Sequence, residues 1–119
     1  MEINEIFKVN TARAKRWHNS GTTEWSALEW AGAMAGEAGE AANAAKKLKR
    51  LECGLPTINL SGRHYTEVNE ARVAIMKEVA DTIIYGLLLM EQVGCPDPEA
   101  ILREVFNAKS EEYGFPERI

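Results

Sequence analysis

Two acid pairs constrain this chain more than anything else in it: Glu37-Ala38-Gly39-Glu40 and Glu78-Val79-Ala80-Asp81. Residues three apart on a helix lie about 60° apart on one face and one turn along, so each pair projects both carboxylates the same way. Glu37 and Glu40 share their face with Trp30, Ala33, Ala41, Ala44 and Leu48. Glu78 and Asp81 share theirs with Ala71, Ala74, Tyr85 and Leu89. An ionised carboxylate in apolar surroundings costs several kcal/mol unless it is paired or holds a metal. Four converging acids on two facing helices therefore point to a divalent metal site. The plainer alternative rotates both helices slightly and leaves the acids as ordinary surface charges, a common fate for glutamates at this spacing.

The helices themselves are legible from their breakers. The first is expected over about Asn4–Asn19, with Ile3, Ile6, Phe7, Ala14 and Trp17 as its apolar side, stopping near Gly21. Thr22, Thr23 and Ser26 offer N-caps for the second, and Ser26 with Glu29 fits a capping box. That helix runs to about Glu52. It is rich in alanine and includes Gly32, Gly36 and Gly39, each of which costs about 1 kcal/mol of helix propensity. Accepting that cost suggests that a neighbouring helix approaches closely. Cys53–Tyr65, with Gly54, Pro56 and Gly62, reads as a loop that packs through Leu55, Ile58 and Leu60, with Arg63 and His64 at its end as surface residues or contacts for an anion.

Thr66 is placed to cap a third helix ending near Val93. Its stretch Ile83–Met90 is apolar nearly all round, which requires burial on every side and so predicts oligomerisation. Asp97-Pro98-Glu99 starts a fourth helix, with Ile101, Leu102, Val105 and Phe106 expected inward and an end near Tyr113-Gly114. No strand pattern appears. The expected fold is all-α, a single four-helix domain with two long central helices, completed by a homodimer or homotetramer.

With 119 residues the chain suits one domain with a modest core. Its net charge of −4 argues against polymeric nucleic acid as a partner, though not against a nucleotide whose charge is met by metal. No signal peptide and no apolar run long enough to span a bilayer is seen, so a cytoplasmic protein without a membrane partner is expected. Cys53 and Cys95 lack metal-ligand spacing and are expected as free thiols. Neither histidine lies on an acid-bearing helix, which removes the ExxH pair that a di-iron carboxylate bundle needs. An all-oxygen ligand set suits Mg²⁺, or Mn²⁺ in its place.

With Glu37-x-x-Glu40, then Glu78-x-x-Asp81 followed by Thr82-Ile83-Ile84-Tyr85, the chain resembles the MazG-like all-α nucleoside triphosphate pyrophosphohydrolases. The likeness runs from about Thr23 to the C-terminus. It takes in the tryptophans Trp17, Trp25 and Trp30 before the first motif, and Asn107-Ala108-Lys109 with Tyr113-Gly114-Phe115-Pro116 at the close. The resemblance implies Mg²⁺-dependent hydrolysis of a nucleoside triphosphate between the α and β phosphates, with Glu37, Glu40, Glu78 and Asp81 as the metal-binding acids. It also implies attack by a water activated by metal and carboxylate, with Glu37 and Glu40 as the catalytic pair and Glu40 the best candidate for the base. One departure stands out. Many relatives read EExxE, and here Gly36 occupies the position of the extra acid.

Contacts to substrate are assigned more loosely. Lys109 and Arg118, with Asn107, are candidates to hold the triphosphate. Tyr85 follows the family's aromatic position, and Trp25 or Trp30 could stack on the base; for all three a core role is the alternative. The run Lys46, Lys47, Lys49 and Arg50 reads as a solvated face, and His18 is assigned nothing. A second class of function is a non-enzymatic helical module that binds a nucleotide or a protein, which the glycine at position 36 favours.

Overall fold

The computed structural model describes residues 2–54 and 68–119. The expected loop 53–65 with Arg63 and His64, and the expected cap at Thr66, thus lie largely outside the described residues. The chain is all-α: α1 (Ile3–Trp17), a 3₁₀ turn (Gly21–Glu24), α2 (Ala27–Glu52), α3 (Val68–Gln92) and α4 (Pro98–Tyr113), with no strand among the described residues. No helix among them is long and apolar enough to cross a membrane.

Two compact units divide the chain. One joins its beginning, up to Ala27, with residues from Leu87 onward; the other is the continuous segment Leu28–Gly86. In the discontinuous unit α1 meets the 3₁₀ turn and α4. Asn4 ties α1 to the start of α4, its Nδ2 donating to Asp97 Oδ1 at 2.8 Å and its Oδ1 accepting from the Glu99 amide at 3.1 Å. Asp97 caps α4 as expected, accepting from the Ala100 amide at 3.0 Å, and Pro98 occupies the first turn. These bonds hold the Asp97 carboxyl below its usual range, the Asn4 amide contributing most. Gly114 ends α4 in the left-handed conformation, with its amide bonded to Glu111 O and that of Phe115 to Ser110 O. The same paired bonds close α3 at Gly94, which is why glycine stands at both positions.

In the continuous unit α2 and α3 run antiparallel. Trp30 lies near Tyr85, Met34 against Gly86, and Ala44 faces Ala71 and Ala74 across a shared cavity. The expected inward face of α2 is observed except at Glu40: Trp30 is buried, Ala33, Glu37, Ala41, Ala44 and Leu48 are half-buried, and Glu40 is exposed. The apolar stripe alone sets that phase.

Other expectations are corrected. Thr22 and Thr23 belong to the 3₁₀ turn rather than capping α2 directly, with Thr23 Oγ1 donating to Ser20 O. Trp17 is 71% exposed; it is the last residue of α1, and the Arg13 guanidinium lies over its ring. Gly32, Gly36 and Gly39 are exposed, and among the described residues none approaches the space a side chain would fill there. Ile101, Leu102, Val105 and Phe106 are exposed rather than inward, while Pro98 and Ser110 are the residues α4 buries. Within the apolar run of α3, Leu87 and Leu88 are buried but Ile83 is half exposed.

Candidate metal centre

All four acids of the two motifs lie in the continuous unit. The antiparallel α2–α3 pairing sets the motifs side by side, because each motif straddles the middle of its own helix. Glu37, Glu78 and Asp81 each bring a carboxylate oxygen within 4.8 Å of the other two. Glu37 and Glu78 are half-buried, while Asp81 and Glu40 stand at the exposed edge. One oxygen of Glu78, Oε2, is buried and has no hydrogen-bond partner. Buried carboxylate oxygens are ordinarily satisfied, and an orphan costs roughly 1–3 kcal/mol.

Glu40, the fourth acid of the motifs, is not one of the converging three but stands beside Glu78. Its carboxyl shares a hydrogen bond with Glu78, and with the charge of Glu78 and then that of Asp81 this raises its pKa above the usual carboxylate range. Two carboxylates can share a hydrogen bond only if one of them keeps a proton or a cation takes its place. The donor set is oxygen only, three carboxylates converge and one buried oxygen lacks a partner: the residues fit a hard divalent cation.

A cavity of about 400 Å³ opens beside this cluster, between Glu40, Asn43, Ala44 and Lys47 of α2 and Ala71, Ala74 and Glu78 of α3. Asn43 was not singled out in the sequence, and Lys47 was expected there on a solvated face. Lys47 sits within a basic run, but its neighbours Lys46, Lys49 and Arg50 are exposed and it is half-buried. The signal was helical phase, since Lys47 lies seven residues, almost two whole turns, beyond Glu40 and shares its face.

The remaining candidates separate by environment. Trp30 is 1% exposed, its ring 6.2 Å from that of Tyr85 and tilted by 41°, so both rings help pack this unit. Trp25 belongs to the discontinuous unit, where its ring meets the edge of His18 at 4.9 Å and its carbonyl accepts from Gln92 Nε2. In that unit Asn107 makes a reciprocal pair of hydrogen bonds with Ile119, fastening the C-terminal tail to α4. Lys109 reaches Glu112 at 3.5 Å and lies over the Tyr113 ring. Arg118 donates to the carbonyls of Phe115 and Glu117. Cys53 and Cys95 are both free thiols.

No protein-family model matches this chain, and no curated protein or solved structure matches it either.

Proposed function

We propose that this protein is a MazG-like, Mg²⁺-dependent nucleoside triphosphate pyrophosphohydrolase, releasing a nucleoside monophosphate and pyrophosphate in a nucleotide-cleansing role. The observation that carries the reading is the unpartnered, buried Glu78 Oε2 inside a trio of carboxylates. Glu37, Glu78 and Asp81 would hold the cation, with Glu40 beside them. Magnesium, or manganese, would neutralise phosphate charge and lower the pKa of a nearby water. Glu40, beside Glu78 at the edge of the trio, would be the base that takes a proton from the attacking water. The water oxygen bonds to the α-phosphorus as the bond to the bridging oxygen breaks, and pyrophosphate leaves with the electron pair.

The exposed apolar residues of α3 and α4 support a homodimer or homotetramer in which they are covered, and the chemistry suits a cytoplasmic enzyme with no polymeric nucleic acid as partner. A non-enzymatic nucleotide-binding module is the second reading, favoured by Gly36 where many relatives carry an acid.

The test is pyrophosphate release from a panel of NTPs and dNTPs with Mg²⁺, with Mn²⁺ and with EDTA. Metal-dependent release with a monophosphate product is expected, abolished by Glu37→Gln in a folded protein. Silence across the panel from folded wild type leaves the binding module as the better reading.

A further inference from the structure

Glu78 lines a second cavity besides the one it shares with Glu40. This one, of about 490 Å³, runs along α3 past Asn69, Glu70, Val73, Ala74, Lys77 and Glu78. Ala74 and Glu78 line both cavities, so the acids stand between two spaces. Lys77, directly beside Glu78, is exposed and has no hydrogen-bond or ion-pair partner among the described residues. Asp81 is its neighbour one turn on, about 5–6 Å away between β-carbons, yet no ion pair joins them. The other cations near at hand or expected to meet phosphate are engaged. Lys47 already has an interaction partner, and Lys109 and Arg118 are bonded within the other unit.

We propose that Lys77 is the contact for the leaving group, receiving the pyrophosphate half of the nucleotide at the Glu78 end of this second cavity. The inference rests on the pyrophosphohydrolase reading of the acids. Cleavage between the α and β phosphates sends two halves away from one point, and the acids have a cavity on either hand. As the bond from the α-phosphorus to the bridging oxygen breaks, that oxygen keeps the electron pair and negative charge grows on the pyrophosphate. A positive charge fixed beside that oxygen's half is worth more in the transition state than in the bound substrate. A lysine ammonium is a compact cation with three donors and no acceptor, a chemistry matched to phosphate oxygens. It passes no proton and remains an ammonium throughout. Glu70, about two turns before Glu78, keeps the opposite end of the cavity negative and so confines an anion to the Lys77 end.

The experiment uses the NTP or dNTP that wild type turns over fastest, and measures kcat, KM and inhibition by each product in wild type, Lys77→Met, Lys77→Arg and Arg72→Met. Circular dichroism melts establish that each variant folds. Lys77→Met should lower kcat about 10-fold, the worth of one exposed hydrogen bond from a charged donor. It should raise the Ki of magnesium pyrophosphate by a similar factor and leave inhibition by the nucleoside monophosphate unchanged. Lys77→Arg should retain most of both properties. Arg72→Met, which removes an exposed cation of the same helix outside the cavity, should alter neither. Pyrophosphate inhibition unchanged in Lys77→Met, equal weakening of both products, or an equal effect of Arg72→Met overturns the inference and leaves the pyrophosphohydrolase reading standing. No metal-dependent release from any nucleotide by wild type overturns both.

Discussion

Glu78→Gln should make the metal-free protein more stable and the metal-bound protein less so. Glu78 is half-buried with one orphan oxygen, and its hydrogen bond and charge raise the pKa of Glu40. A glutamine keeps the shape, removes the charge, and can donate its amide to an ionised Glu40. Removing an orphan at the low end of the usual penalty, because the residue is half-buried rather than enclosed, yields about 1 kcal/mol. For a chain of this length that is about 4 °C in Tm. Magnesium at a hundred times its Kd should raise the wild-type Tm by about 11 °C, the equivalent of about 2.7 kcal/mol. If losing one ligating charge weakens the site about 100-fold, the same concentration raises the variant by only about 2 °C. Differential scanning calorimetry in EDTA and across a Mg²⁺ titration reads both effects. A variant that melts lower than wild type in EDTA, or that keeps the full magnesium shift, refutes the reasoning.

Three further outcomes follow from the same structure. Because the folded-state pKa of Glu40 is raised, its protonated form is favoured by folding, so metal-free stability is expected to fall as pH rises through that raised value; a flat denaturation midpoint over the range just above ordinary carboxylate titration counts against the shared proton. Asp97 is displaced in the opposite sense: its contribution is present above its unfolded pKa and disappears as pH falls through the lowered folded value, and Asp97→Ala should lower the urea midpoint at neutral pH and erase that acid-side slope. Trp30→Ala should cost about 3–5 kcal/mol by the same measurement, since the ring is 1% exposed, and a loss under 1 kcal/mol would show that the ring is not enclosed in solution.

What the sequence made legible was whatever depends on spacing within one helix. The phase of α2 was readable from Trp30, Ala41, Ala44 and Leu48, and the end of α4 from Asp97, Pro98 and Gly114, because caps and stripes are local. The convergence of Glu37 with Glu78 and Asp81 was readable only as an expectation, since it depends on α2 and α3 running antiparallel in one register. Burial was the least legible property. Ile101, Leu102, Val105 and Phe106 are apolar at helical spacing, yet apolarity says only that a face gains from cover, not that its own chain supplies it. Lys47 was hidden by composition: three charged neighbours in a row suggest solvent, while the helix turns one of the four away from it.

The bond from Asn4 to Asp97 has a consequence for the order in which the molecule assembles. It joins residues 93 apart in sequence, and closing a free chain of that length costs about 4 kcal/mol in the logarithmic term alone. The Leu28–Gly86 unit is one continuous segment and bears no such delay. The expected sequence of events is therefore collapse of α2 on α3 first, which shortens the remaining span, and attachment of α1 to the start of α4 last. Pulse-labelled hydrogen exchange during refolding would reveal it, with amides of α2 and α3 protected before those of α1; simultaneous protection would mean that both units form in one step. A ribosome emitting this chain would leave α1 with only the 3₁₀ turn for company until the start of α4 had been made.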